Sequence, residues 1–190
     1  MMKQYVFTPL GMNMSSYTWQ PRFEQYYCVG HQSNGILYQK DKDNDARAAS
    51  TLETTLDDYT IFTKAVLNNT LLKPATTNLM FTPQTRLRSV QQFGPLRLQD
   101  SILNDGIGLS YGLGWVLLRS PYGTGAFKEG HGDGFQHYSI IFPQTGTGII
   151  IMSNSDNAES IFKALLETAI GDRYTPWYWE NYIPYDQPKN

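Results

Sequence analysis

The feature that most constrains this chain is a run of apolar segments between Leu109 and Asn157, each too short for a helix and each ended by Gly, Pro or Asp. It reads Leu109-Ser-Tyr-Gly-Leu-Gly-Trp-Val-Leu-Leu, then Lys128-Glu-Gly-His-Gly-Asp-Gly, then His137-Tyr-Ser-Ile-Ile-Phe-Pro, then Thr147-Gly-Ile-Ile-Ile-Met-Ser-Asn-Ser-Asp. Segments of four to eight residues rich in Ile, Val and aromatics, separated by turn residues, predict consecutive antiparallel strands. Pro143-Gln-Thr-Gly146 predicts a hairpin connection, with Gly146 free to take a positive φ. Gly130-His-Gly-Asp-Gly134 is polar and poor in side chains, so another group can approach its backbone closely.

Helical patterning flanks this block. Thr55 is a natural N-cap, with Asp58 as its capping-box partner and Asp57 suited to the positive helix end. Leu56, Tyr59, Ile61, Phe62, Ala65 and Val66 then predict one apolar stripe, closed by Asn68-Asn69. Pro74 opens a short helix to Phe81, and Thr82 to Gly106 reads as a polar connector. A closing helix is predicted with Ser155 or Asp156 as cap, a Glu159–Lys163 pair and Gly171 as its stop. Residues 1–8 read as the end of a helix terminated by Pro9 and Gly11. Residues 12–50 read as a long surface excursion, with a short hairpin from Gly30 to Tyr38 and a charged run from Lys40 to Asp45. The tail from Tyr174 to Tyr185 is expected to lie flat on the body without forming an element. Together these elements predict an α+β fold, an antiparallel sheet of about four strands flanked by helices, in a single domain over residues 1–190.

Composition narrows the function classes. A net charge of −2, with acids and bases mixed along the chain, gives no nucleic-acid footprint. No apolar run approaches the roughly 20 residues of a membrane span. The opening Met1-Met2-Lys3-Gln4 lacks signal-peptide architecture, and the compartment stays open. The single cysteine, Cys28, excludes an internal disulfide and is expected to be a small buried hydrophobe.

The ordered phrases carry a resemblance. Tyr5-Val-Phe-Thr-Pro-Leu-Gly-Met, then Ala48-Ala-Ser-Thr-Leu-Glu-Thr-Thr-Leu-Asp-Asp-Tyr, then the His131 block and Asn154-Ser-Asp156 together resemble the serine β-lactamase and penicillin-binding (DD-peptidase) superfamily, in its esterase-like branch with a His-x-Gly motif. The resemblance implies a β-lactamase/transpeptidase-like fold of which this chain matches the C-terminal half, with the N-terminal strands and nucleophile helix absent. It gives His131 the first motif position and Gly132 the variable second. Asp133 stands where Gly is usual, a departure that argues against anionic β-lactams. To Gly134 the resemblance assigns an oxyanion-binding N–H, and to Gly132 and Asp133 a place beside the substrate. The competing reading of His131 is a hydrogen-bonded structural histidine at a strand end.

The superfamily's nucleophile motif, Ser-x-x-Lys, does not precede the strand block, and Tyr-x-Asn occurs nowhere. Ser160-Ile-Phe-Lys163 and Ser155-Asp-Asn157 fit two motifs in the wrong order and on one helix, and read as coincidence. The expectation is therefore a truncated product, an excised piece or one partner of a split protein. The complete protein would form an acyl-enzyme with a small-molecule peptide, ester or β-lactam, and this chain alone would be inactive. No cofactor is implied, and self-association or pairing with a missing N-terminal half is expected. Three alternatives stay open: a binding or interaction module derived from the fold, a Gly-x-Ser-x-Gly esterase using Ser110, and a metal site from His131, Asp133 and His137, disfavoured by the glycines between them.

Overall fold

The computed structural model describes residues 1–42 and 44–187. Asp43, within the charged run noted above, lies outside the described residues.

Six antiparallel strands follow one another in chain order across a single sheet: β1 (Thr85–Arg86), β2 (Ser110–Tyr111), β3 (Val116–Ser120), β4 (Gly123–Gly132), β5 (Phe135–Phe142) and β6 (Thr147–Ser153). The four long apolar segments account for β3 to β6. The two extra strands have two residues each, too few to show any alternation in sequence. Four residues, Pro143 to Gly146, join β5 to β6, with Gly146 at φ 65°.

The continuous apolar runs follow from a sheet buried on both faces. Side chains alternate across the pleat, so Val116 and Leu118 enter one core while Trp115 and Leu117 enter another. The larger core joins Phe127, Tyr138, Ile140 and Phe142 to Phe162 and Leu166 of α4 (Phe162–Ile170) and to Trp177 and Trp179 of α5 (Trp177–Glu180). The smaller one joins Trp115, Leu117, Ala126 and Ile141 to Val66 of α2 (Leu56–Leu67), with Phe81, just past α3 (Pro74–Met80), against its edge. The tail is thus part of the core, contrary to the expectation that it forms no element. Burying three aromatic rings, Trp177, Trp179 and Tyr182, outweighs the proline punctuation that argued for an extended path.

Helix α2 begins as its sequence dictates. Thr55 Oγ1 accepts from the Asp58 N–H at 3.2 Å. The carboxylate of Asp58 does not complete the capping box. It is buried and accepts instead from the Met14 N–H and the Ser15 hydroxyl, both at 2.8 Å. This contact rotates the buried face toward Asp58, Thr63 and Val66, leaving Leu56 and Ile61 exposed. The N-terminal helix, a π-helical turn (Lys3–Phe7) leading into α1 (Thr8–Leu10), ends at Gly11 with φ 72° as expected.

The closing helix also departs from its pattern. Residues Ala158–Ile161 form a 3₁₀ turn, so Glu159 and Lys163 do not stack four apart on one α-helix. Lys163 pairs with Glu167 at 2.8 Å instead, and neither Ser155 nor Asp156 caps the helix with its side chain. Cys28 is exposed, not buried.

The helix-start contacts generate one prediction. Thr55→Ala should cost about 1 kcal/mol, the usual loss for an N-cap. Asp58→Ala should cost more, about 3 kcal/mol, because the buried Ser15 hydroxyl and the half-buried Met14 N–H lose a charged acceptor. Urea unfolding of both variants measures the order; equal losses would mean that Asp58 acts only in its own helix.

Candidate functional site

The sheet leaves one strand edge open in its middle. β3 pairs with β4 only from Gly123 to Phe127, whereas β5 pairs with it as far as Gly132. Lys128 to Gly132 therefore has β5 on one side and, among the described residues, no strand on the other. A Cβ at Gly130 would meet nothing within 4 Å, and one at Gly132 only Phe135 Cβ at 3.8 Å. Backbone at such an edge can accept an extended ligand. The Gly132–Phe135 pairing leaves Asp133-Gly134 as a two-residue turn, with Gly134 at φ 73°. His131, Gly132 and Asp133 are exposed and Gly134 is buried.

What buries Gly134 is the long excursion. The predicted hairpin exists: Tyr38 N–H donates to Gly30 at 2.9 Å and Gln32 N–H to Ile36 at 2.8 Å. It docks with its backbone against the turn, so closely that a Cβ on Gly30 would sit 1.9 Å from the Asp133 carbonyl oxygen and one on Gly134 2.4 Å from His31 N. The Asn154-Ser-Asp156 phrase holds the hairpin's other side. His31 N–H donates to the Asn154 carbonyl at 2.9 Å, Asn154 Nδ2 donates to Val29 at 3.0 Å, and the Tyr38 hydroxyl donates to Asp156 Oδ2 at 2.7 Å. Between the excursion and the turn lies an open cleft of about 850 Å³ lined by Tyr27, Gln39, Lys40, Lys42 and Asp133. Its lysines are held in place: Lys40 Nζ lies over the Trp19 and Phe135 rings and pairs with Glu53, and Lys42 Nζ lies over Trp19 and Tyr27 and pairs with Glu24 at 2.8 Å. No spacing rule marked these residues, because their partners are far apart in sequence.

The imidazole of His131 turns the other way, toward the face covered by α4 and the tail. Nδ1 lies 2.8 Å from Glu159 Oε1, and Nε2 lies 3.3 Å from Glu129 Oε2 and 3.1 Å from the Tyr182 hydroxyl. Donation to the carboxylate of Glu129, and next to that of Glu159, raises the His131 pKa to about 10, so the ring is an imidazolium at neutral pH. Burial pushes Glu129 up, but the bond and charge of His131 outweigh it and hold the carboxyl below its ordinary value. Deeper still, Glu180 has no hydrogen-bond partner for either oxygen, and burial, reinforced by Glu129, pushes its pKa far up. His137 faces the opposite side of the sheet, where burial lowers its pKa.

That geometry separates the metal triad. His131 is opposite Gln136 across the hairpin, so His131 and His137 point to opposite faces, and among the described residues no cluster of three ligating side chains exists. The assumption of one continuous strand failed because the turn at Asp133-Gly134 intervenes. Ser110 sits within a strand rather than at a strand-to-helix turn; its hydroxyl is buried and without a hydrogen-bond partner. Ser160 donates to the Asn157 carbonyl at 2.6 Å while Lys163 is committed to Glu167.

An α+β body with helices on both faces of an antiparallel sheet is the architecture of β-lactamase- and penicillin-binding-type proteins, and here the strand edge ends in His131-Gly-Asp-Gly134, with Asp133 where that motif usually has Gly. This chain belongs to the Beta-lactamase family, whose model matches residues 1–170. Among solved structures it is similar to the octameric penicillin-binding protein homologue from Pyrococcus abyssi, at 16% identity and a TM-score of 0.58, with 87% of this chain and 36% of that one covered. The chain thus spans just over a third of that relative's length. No curated protein matches it. No helix of the described residues is long and apolar enough to cross a membrane.

Two measurements test the site. A histidine whose folded pKa is raised contributes stability fully present below about pH 6.5 and lost as pH climbs toward 10. His131 ring resonances should therefore stay those of an imidazolium through pH 8, and Glu129→Gln should lower their midpoint; a midpoint near 6.5 in the parent protein would contradict the network. Gly30→Ala should cost about 3 kcal/mol by overpacking. It should also raise amide exchange across residues 29–38 selectively; unchanged exchange there would mean that the hairpin is not docked on the turn.

Proposed function

We propose that this chain supplies the substrate-binding wall of a serine hydrolase that works through an acyl-enzyme on a peptide, an ester or a β-lactam, in the esterase-like His-x-Gly manner. The observation that carries the reading is the open edge of β4 from Lys128 to Gly132, ending at the exposed Gly132 and Asp133. An acyl substrate lying along that edge would hydrogen-bond to its outward-facing backbone groups while its carbonyl reached the turn. Gly134, assigned the oxyanion-binding N–H, is held by Gly30 and His31, and a donor fixed before reaction needs no reorganisation when charge develops. On this reading His131 acts as a strut. Its imidazolium ties the end of β4 to Glu159 and Tyr182, and so sets where the edge lies.

The nucleophile is the part that the described residues do not offer. Ser160 and Lys163 have other partners, and Ser110 is buried within the sheet without a base. Asp133 places a carboxylate at the end of the edge, which favours neutral or cationic acyl groups over anionic ones.

The chain alone is therefore expected to bind acyl compounds weakly and to turn none of them over. Incubation with a fluorophosphonate and, separately, a penicillin, followed by intact-mass measurement, should give no adduct. Stoichiometric labelling of a serine would overturn the proposal, and its position would name the nucleophile, Ser110 or Ser160.

A further inference from the structure

A second site, independent of that edge, lies at the other end of the sheet. The register places Arg86 of β1 opposite Ser110 of β2, and Ser110 opposite Leu117 of β3. These three side chains therefore share one face, and Arg119, two residues beyond Leu117, shares it too. Arg119 is opposite Thr124 on β4, seven residues before His131 on the same strand. At about 3.3 Å per residue that is roughly 23 Å away, and His131 points to the opposite face.

The loop from Ile102 to Leu109 builds the rest. It closes through Asp105 N–H to Ile102 at 3.0 Å, Gly108 N–H to Asp105 at 3.0 Å and Arg119 N–H to Ile107 at 2.6 Å. The loop presents Asp105 to the Arg86 guanidinium as an ion pair. It also presents Gly108, at φ 58°, to Arg119. A Cβ at Gly108 would lie 2.7 Å from Arg119 Nε and 3.0 Å from Cζ, so the guanidinium rests where only glycine leaves room. Arg119 itself is exposed and, among the described residues, its side chain makes no ion pair or hydrogen bond. Ser110 is 2% exposed and its hydroxyl has no hydrogen-bond partner. Ser110 and Arg119 are among the residues lining an open cavity of about 560 Å³, together with Arg86, Asp105, Gly108 and Pro83.

A buried hydroxyl without a partner costs free energy, and an arginine fork seated over a glycine without an acceptor is a preorganised donor. We propose that this cavity is a binding site for a small monocarboxylate, whose oxygens take the fork of Arg119 and the hydroxyl proton of Ser110. Arg86 is kept beside it by Asp105. Two arginines and one aspartate leave one net positive charge, which matches a monoanion better than a dianionic phosphate.

The test is a backbone and arginine-side-chain NMR titration of the full chain with sodium acetate, against sodium chloride and inorganic phosphate at matched ionic strength. Saturable shifts of the Arg119 Nε–H and the Ser110 amide are expected with acetate at millimolar concentration and not with chloride. Arg119→Gln, a change at an exposed position that should leave the fold intact, should weaken acetate at least about tenfold. Ser110→Ala should weaken it about threefold while leaving the unliganded protein no less stable, since it removes a hydroxyl that had no partner. Equal shifts with chloride, full affinity in Arg119→Gln or Ser110→Ala, or phosphate binding more tightly than acetate would each overturn the assignment.

Discussion

The structure depends on the β4–β5 hairpin and on the pleat that sends its side chains alternately to two cores. Phe127, Tyr138 and Ile140 serve the large core, while Ala126 and Ile141 serve the small one, all essentially sealed from solvent. A one-residue slip would exchange the two sets. It would put Phe127 where Ala126 fits under α2, and would carry Glu129 and His131 together to the opposite face of the sheet, away from Glu159 and Tyr182. The register is thus fixed by packing at one end of the hairpin, and the polar end inherits it.

The polar end holds itself by a different kind of contact. Gly30 and Gly134 have no side chains to pack, and the backbone of one strand turn lies directly on the backbone of another. Such an approach permits no adjustment, since the nearest atoms are main-chain atoms on both sides. It converts a long irregular segment into part of the rigid body, and the Asn154 and Asp156 side chains fasten it from behind. Opposite it, the imidazolium of His131 compensates carboxylates that the core would otherwise expel. Glu129 remains ionised beside that charge, whereas Glu180, one layer deeper and without a partner, is driven toward its neutral form by burial.

Sequence alone determined the order of β3 to β6, the turn at Gly146, the start of α2 at Thr55 and the position of the Gly30–Tyr38 hairpin. Each rests on a local cause: a short apolar run ended by turn residues, a positive φ that glycine supplies, a hydroxyl three residues before an N–H. The family was legible for the same reason, because ordered phrases survive in the chain whatever they contact. Only the tertiary structure decided the rest. Asp58 left its capping box for Met14 and Ser15, Glu159 left Lys163 for His131, and the proline-punctuated tail became core, each because a partner distant in sequence offered a better-buried contact than the local one. The direction of His131 belongs to the same class, since the side of a sheet on which a residue falls is set by register, and register is settled by the packing of both faces together.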